Sequence, residues 1–227
     1  AALGTLSRLI RGEIVKAVEA GKGPPRIIIY AKDSDTAVGI ASPLQNALWT
    51  GLGGDTDAGL WGLSVLLPSA EDVVLPSAEE AVRESSDVDA DVAALTYQSS
   101  IRVMEMFQFN QVNVLVTTPR ATRGLDFPGV THVFNLGIVG TDADYLHRAG
   151  RVGRIGQDDP GVVISVVQEE EAAKLLELGT RLQFSAERIA LPEQETITEE
   201  SESADKIRFL EDVFQLFNTR EGDENGK

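Results

Sequence analysis

The chain has 227 residues, 42% of them hydrophobic and 25% charged, enough to fill one good core and leave room for appendages. It contains no cysteine, which excludes disulfides and thiolate metal sites, and its net charge of −16 argues against a uniformly anion-binding surface. No apolar run approaches the roughly 20 residues a membrane span requires, and no charged-then-apolar leader opens the chain. An intracellular protein without a membrane segment is expected, with cytoplasm, nucleus or organelle left open.

Residues 4–20 alternate apolar and polar at helical spacing and stop at Gly21. After the turn GKGPP, residues 26–31 (RIIIYA) read as a buried parallel strand. A helix should then run to about Leu48, with Ser34 or Asp35 as its cap and Pro43 disturbing its second half. Residues 49–91 break this rhythm. They are glycine-rich at first, echo LPSAE twice, and read for the most part as an acidic insertion, with Trp49, Trp61 and Leu66 marking a part that packs down or meets a partner. Residues 92–96 should be a strand, 101–109 an amphipathic helix and 112–117 a further strand.

Past that strand the chain reads TTPRATRGLD, which sets polar groups at a strand's carboxyl end, where open α/β sheets bind ligands. A strand through 130–136 follows, then a helix from Thr141 or Asp142, whose early aspartates suit its positive first turn. HRAGRVGR then places Arg148, Arg151 and Arg154 at three-residue steps, near one helical turn, so Arg151 and Arg154 could converge on one target. Guanidiniums suit phosphate oxygens better than lysines do, and Gly150, Gly153 and Gly156 leave room for a large anion or another domain. A strand at 161–167 and an acid-capped helix at 168–182 complete the alternation. His132, alone on its strand, reads as structural. Strands alternating with helices indicate a parallel sheet covered on both faces.

Charge is unevenly spread. Residues 48–96 hold ten acids and one base, and residues 187–227 hold twelve acids and five bases, so these two segments carry the whole excess. The stretch 118–154 has five arginines against three aspartates and stays locally basic. Residues 1–190 read as one domain, 191–204 as an acidic linker, and 205–227 as a docking helix with a disordered tail. A protein partner could meet the 205–219 helix or the 49–91 insertion.

Two of these motifs carry a family resemblance. Thr118, Arg123, Gly124 and Asp126 match TxxxxRGxD, and His147, Arg148, Gly150, Arg151 and Arg154 match HRxGRxxR. In order, with a strand between them, they resemble motifs V and VI of a DEAD-box RNA helicase; residues 26–31 resemble motif IV, with Tyr30 where phenylalanine is usual. The sequence departs from the pattern at Pro119, where an aspartate or small polar residue is usual, and at 97–100, which lack the arginine of QxxR.

The resemblance implies the C-terminal RecA-like domain of an ATP-dependent RNA helicase. In that family ATP sits between two RecA-like domains. Arg151 and Arg154 would stabilise charge on the transferring phosphoryl group, and Asp126 would accept a ribose hydroxyl. Arg123, His147 and Arg148 would serve interdomain contacts, and Thr118 with Gly124 would meet RNA phosphates. No GxxxxGK[ST] loop and no Asp-Glu-Ala-Asp run occurs in the sequence. Mg²⁺ and most of the ATP grip would therefore fall to an N-terminal RecA-like domain in cis, with no metal ligand supplied by these residues. The fragment alone should be inactive. The departures leave one alternative, a degenerate helicase-like scaffold of a ribonucleoprotein or ribosome-assembly particle without ATP turnover.

Overall fold

The structure, a computed structural model, describes residues 2–49, 62–68, 100–154 and 160–189. The expected strand at 92–96, the linker and the 205–219 helix lie outside them. The described residues form ten elements in chain order: α1 (Ala2–Glu19), β1 (Ile27–Tyr30), α2 (Ser34–Trp49), β2 (Gly62–Leu66), α3 (Ser100–Gln108), β3 (Val112–Thr117), β4 (His132–Leu136), α4 (Asp142–Ala149), β5 (Val162–Val166) and α5 (Glu169–Leu182). All strand pairs are parallel, in the order β2-β3-β1-β4-β5. This is a RecA-like α/β sheet with helices on both faces.

β1 shows why the sheet lies at the centre. Its four residues IIIY are all buried, and it is hydrogen-bonded between β3 and β4, Ile27 aligning with Val114 on one side and His132 on the other. Side chains alternate across a strand, so Ile27 and Ile29 join one core cluster while Ile28 and Tyr30 join the other. The first cluster is closed by Leu6, Ile10 and Ile14 of α1 with Ala37, Leu44 and Leu48 of α2. The second is closed by Val103 and Phe107 of α3 and by Phe127. Each such Val, Leu, Ile or Phe side chain contributes about 1.5–3 kcal/mol by leaving water.

Three expectations need correction. The cap of α2 is neither Ser34 nor Asp35 but Asp33, whose carboxylate accepts the Thr36 N–H at 2.8 Å. Pro43 is accommodated inside α2. Its missing N–H would have met Gly39 O one turn earlier, and Gly39 lies on the exposed side, where water can serve that carbonyl. Finally, residues 62–66, placed within the insertion by their glycine-rich and acidic surroundings, form edge strand β2. Leu63 and Val65 pack into one cluster and Leu66 into the other, so a short apolar run outweighs the composition around it.

His132 begins β4 with its ring between Thr131 Oγ1, 2.8 Å from Nδ1, and Glu13 Oε2 of α1, 3.2 Å from Nε2. Burial holds its pKa below the ordinary histidine value, and the Glu13 contact opposes that without reversing it. The fold thus favours the neutral ring. Stability from this group is present above the unfolded value of about 6.5 and is lost as pH falls towards the lower folded value. The melting temperature should therefore drop more between pH 7 and pH 5 in the wild type than in His132→Gln. Superimposable pH curves would remove His132 from this role.

Candidate functional site

The site forms at the carboxyl ends of β1, β3 and β4, where two loops meet. The first leaves β3. Thr117 Oγ1 donates to Leu66 O at 2.8 Å and ties off the ends of β2 and β3. The chain then passes through three successive turns, with Ala121 N donating to Thr118 O, Arg123 N to Arg120 O and Leu125 N to Thr122 O. Pro119 occupies the second position of the first turn, where its fixed φ is preorganised. Thr122 is the loop's inward anchor, 2% exposed, donating to Pro119 O at 3.3 Å and lying 3.4 Å from the Tyr30 hydroxyl.

This folding sorts the motif residues. Thr118 is only 4% exposed and its hydroxyl accepts the Ala121 N–H at 3.4 Å, so its side chain serves the turn. Gly124 takes φ +74° and has open space where a Cβ would stand; the left-handed backbone, not crowding, calls for glycine there. Arg123 stands outward, 76% exposed, with Asp144 Oδ1 at 3.9 Å. Asp126 is also outward, and the next residue, Phe127, turns into the core, its ring edge-on to Phe107 at 6.0 Å.

The second loop follows α4. Thr141 and Asp144 form a reciprocal capping box, the Asp144 carboxylate accepting the Thr141 N–H at 2.8 Å. The backbone N–H and hydroxyl of Thr141 hold the Asp144 pKa below the usual carboxylate range. Gly140, at φ +83°, is required here, since a Cβ would come within 2.6 Å of Asp144 Oδ2. Arg181 of α5 grips Asp142 through two hydrogen bonds of 2.7 and 2.9 Å and lowers that carboxyl's pKa as well. Tyr145 stacks on Phe184 at 5.5 Å. These contacts seat α4 against the sheet and α5.

The arginines do not project from one helix as their spacing predicted. α4 ends at Ala149, where the Gly150 N–H closes onto Leu146 O, and Gly153 takes a left-handed φ of +64°. Arg148, on the last helical turn, points inward and is 3% exposed. Its Nε donates to Asn135 Oδ1 at 2.9 Å, and burial pushes its pKa down. Arg148 Nη1 and Nη2 and Asn135 Nδ2 are buried without hydrogen-bond partners. Arg151 reaches across to the first loop, donating to Leu125 O at 2.7 Å and Thr122 O at 3.2 Å above the Phe127 ring. Arg154 pairs with Asp126, and that hydrogen bond is the main reason the Asp126 carboxyl titrates below its ordinary range. His147 is exposed on the same last turn.

The structure thus brings Thr118, Arg123, Gly124, Asp126, Arg151 and Arg154 to one edge. Asn135 and Thr122 escaped the sequence reading. Asn135 had a signal, a polar residue between the apolar Phe134 and Leu136 of β4; Thr122 had none beyond its place in the motif.

The family model described as "Helicase conserved C-terminal domain" matches residues 73–156. ATP-dependent RNA helicase RhlB of Shewanella frigidimarina is 42% identical over 85 residues, 37% of this chain and 19% of that protein. ATP-dependent RNA helicase CshA of Listeria monocytogenes is 42% identical over 81 residues, 36% of this chain and 15% of that protein. The chain therefore spans about a fifth or less of the length of these curated relatives. Among solved structures, domain 2 of the DEAD-box helicase Mss116p, bound to an RNA duplex, superposes with a TM-score of 0.57 at 17% identity, covering 96% of this chain and 72% of that one. Residues 73–156 thus match the conserved C-terminal domain of helicases, and the fold around them is shared with a DEAD-box helicase domain.

Proposed function

We propose that this chain is the second half of an ATP-dependent RNA helicase, closing on an N-terminal RecA-like domain around a shared nucleotide. The observation that carries this reading is the junction of the two loops: Arg154 on Asp126, and Arg151 on the carbonyls of Thr122 and Leu125, at the carboxyl edge of the sheet. The donor set fits a nucleoside triphosphate. Arg154, 35% exposed, offers a cation to phosphate oxygens, and Asp126, 74% exposed, offers an acceptor to ribose hydroxyls. ATP, when bound, supplies the phosphoryl group whose transfer is coupled to RNA remodelling.

The roles divide by burial. Arg154 stabilises charge developing on the phosphoryl oxygens, and arginines supplied in this way accelerate phosphoryl transfer by roughly 10³–10⁵. Arg151 holds the loop that carries Asp126 and adds positive potential behind it. His147 and Arg123 stand where the partner domain approaches. Gly124's open backbone accepts an RNA phosphate, with Thr118 fixing the turn beneath it. Such contacts carry no base information, so binding is sequence-tolerant. Mg²⁺ would be held by the other domain, since the motifs that bind it are not in this sequence. The relatives compared above bear helicase names, which gives the scaffold reading no support.

A direct test compares the pure 227-residue chain with a two-domain protein that contains it. RNA-stimulated ATP hydrolysis is expected from the second and none from the first. Turnover by the fragment alone would overturn the shared-site reading.

A further inference from the structure

We infer that Tyr30 is a positioning residue for the nucleotide-facing edge: its buried hydroxyl donates to Thr122 and so fixes the loop that delivers Asp126. The inference deepens the proposed shared-site reading and rests on it.

Ring and hydroxyl have separate tasks. Tyr30 ends β1, aligned with Thr117 on one side and Asn135 on the other, and is only 2% exposed. Its ring fills the core cluster that holds Leu66 and Phe127, which phenylalanine would do equally well. The hydroxyl is a different matter, since a phenol taken out of water must find a hydrogen-bond partner. That partner is Thr122 Oγ1, at 3.4 Å. Phenylalanine is usual at this place in the motif that residues 26–31 resemble, so the family pattern contains no such bond.

Counting protons gives the direction. A threonine hydroxyl has one proton to give and two lone pairs to accept with. Thr122 gives its proton to Pro119 O at 3.3 Å, so Oγ1 receives that of Tyr30. Tyr30 and Pro119, both departures from the family pattern, thus meet on either side of one hydroxyl. Thr122 is also the base of the next turn. Its carbonyl accepts the Leu125 N–H at 3.3 Å and Arg151 Nη2 at 3.2 Å, and Asp126 comes next in the chain. A run of hydrogen bonds therefore leads from the central strand, through Thr122, to the turn that presents Asp126.

The two loops divide the nucleotide between them. Asp126 meets the ribose, and Arg154, on the second loop, acts on the phosphoryl group. Loosening the first loop should weaken the hold on ATP and leave the transfer step largely alone. A bond of 3.4 Å is long for two hydroxyls, so effects of a few-fold are expected rather than orders of magnitude.

The test measures steady-state, RNA-stimulated hydrolysis against ATP concentration in a two-domain protein containing this chain. Variants are Tyr30→Phe, Thr122→Val, Thr122→Ser and the double Tyr30→Phe/Thr122→Val. Tyr30→Phe should raise the KM for ATP about two- to fivefold at unchanged kcat, and thermal melts should show it folded because the ring stays in the core. Thr122→Val removes the receiving hydroxyl and should raise KM at least as much, while Thr122→Ser keeps it and should stay close to wild type. Because Tyr30 acts through that hydroxyl, the double should be no worse than Thr122→Val alone. An unaltered KM in Tyr30→Phe, or effects that multiply in the double, would overturn the inference while wild-type turnover keeps the shared-site reading. No turnover by the wild type would overturn both. If Thr122→Val does not fold, Tyr30→Phe against wild type still decides.

Discussion

Replacing Arg154 by alanine in a two-domain protein containing this chain is expected to lower ATP turnover by at least about tenfold without lowering the domain's melting temperature. The asymmetry follows from geometry. Arg154 is partly exposed and its described carboxylate partner, Asp126, is largely so. Exposed ion pairs contribute roughly 0–1 kcal/mol, so stability barely registers the loss. Arg151→Ala should behave differently. It removes two hydrogen bonds to loop carbonyls and a cation over the Phe127 ring, so turnover and stability should fall together. Steady-state hydrolysis and thermal melts on the same preparations separate the two. An unchanged rate in Arg154→Ala would take that side chain out of the chemistry.

Phe127→Ala should be the most destabilising single change at the site, costing about 3–5 kcal/mol in urea unfolding. The ring is fully buried, edge-on to Phe107, and sits under Arg151. Phe127 directly follows Asp126, so the resulting cavity opens next to the loop that carries that carboxylate. Phe127→Leu, which keeps much of the volume, should lose far less, and equal losses for the two would mean the site is not packed as described. This substitution tests whether the core on the α3 side and the motif loops act as one unit.

Much of this was legible in the amino-acid sequence. Period-two and period-3.6 patterns gave α1, β1, β3, β4 and α5 nearly to their ends, because burial on both sheet faces leaves continuous apolar runs. The two motifs located the site. Side-chain direction was not legible. Three-residue spacing predicted arginines side by side on a helix, but Gly150 and Gly153 end the helix first, so Arg148 turns inward while Arg151 and Arg154 turn back to the other loop. Burial of Arg148 against Asn135 depends on residues 13 positions apart meeting across the sheet, which no local pattern encodes. β2 was hidden by its acidic surroundings, and Asp33 was passed over as a cap because two other candidates stand just after it.

The hydroxyl of Ser100, at the start of α3, lies 3.4 Å from the carbonyl of Leu67, just past the end of β2. The two exits from the sheet therefore stand side by side. Whatever length of chain joins them closes a loop whose ends already coincide, and each doubling of such a loop costs only about 0.6 kcal/mol.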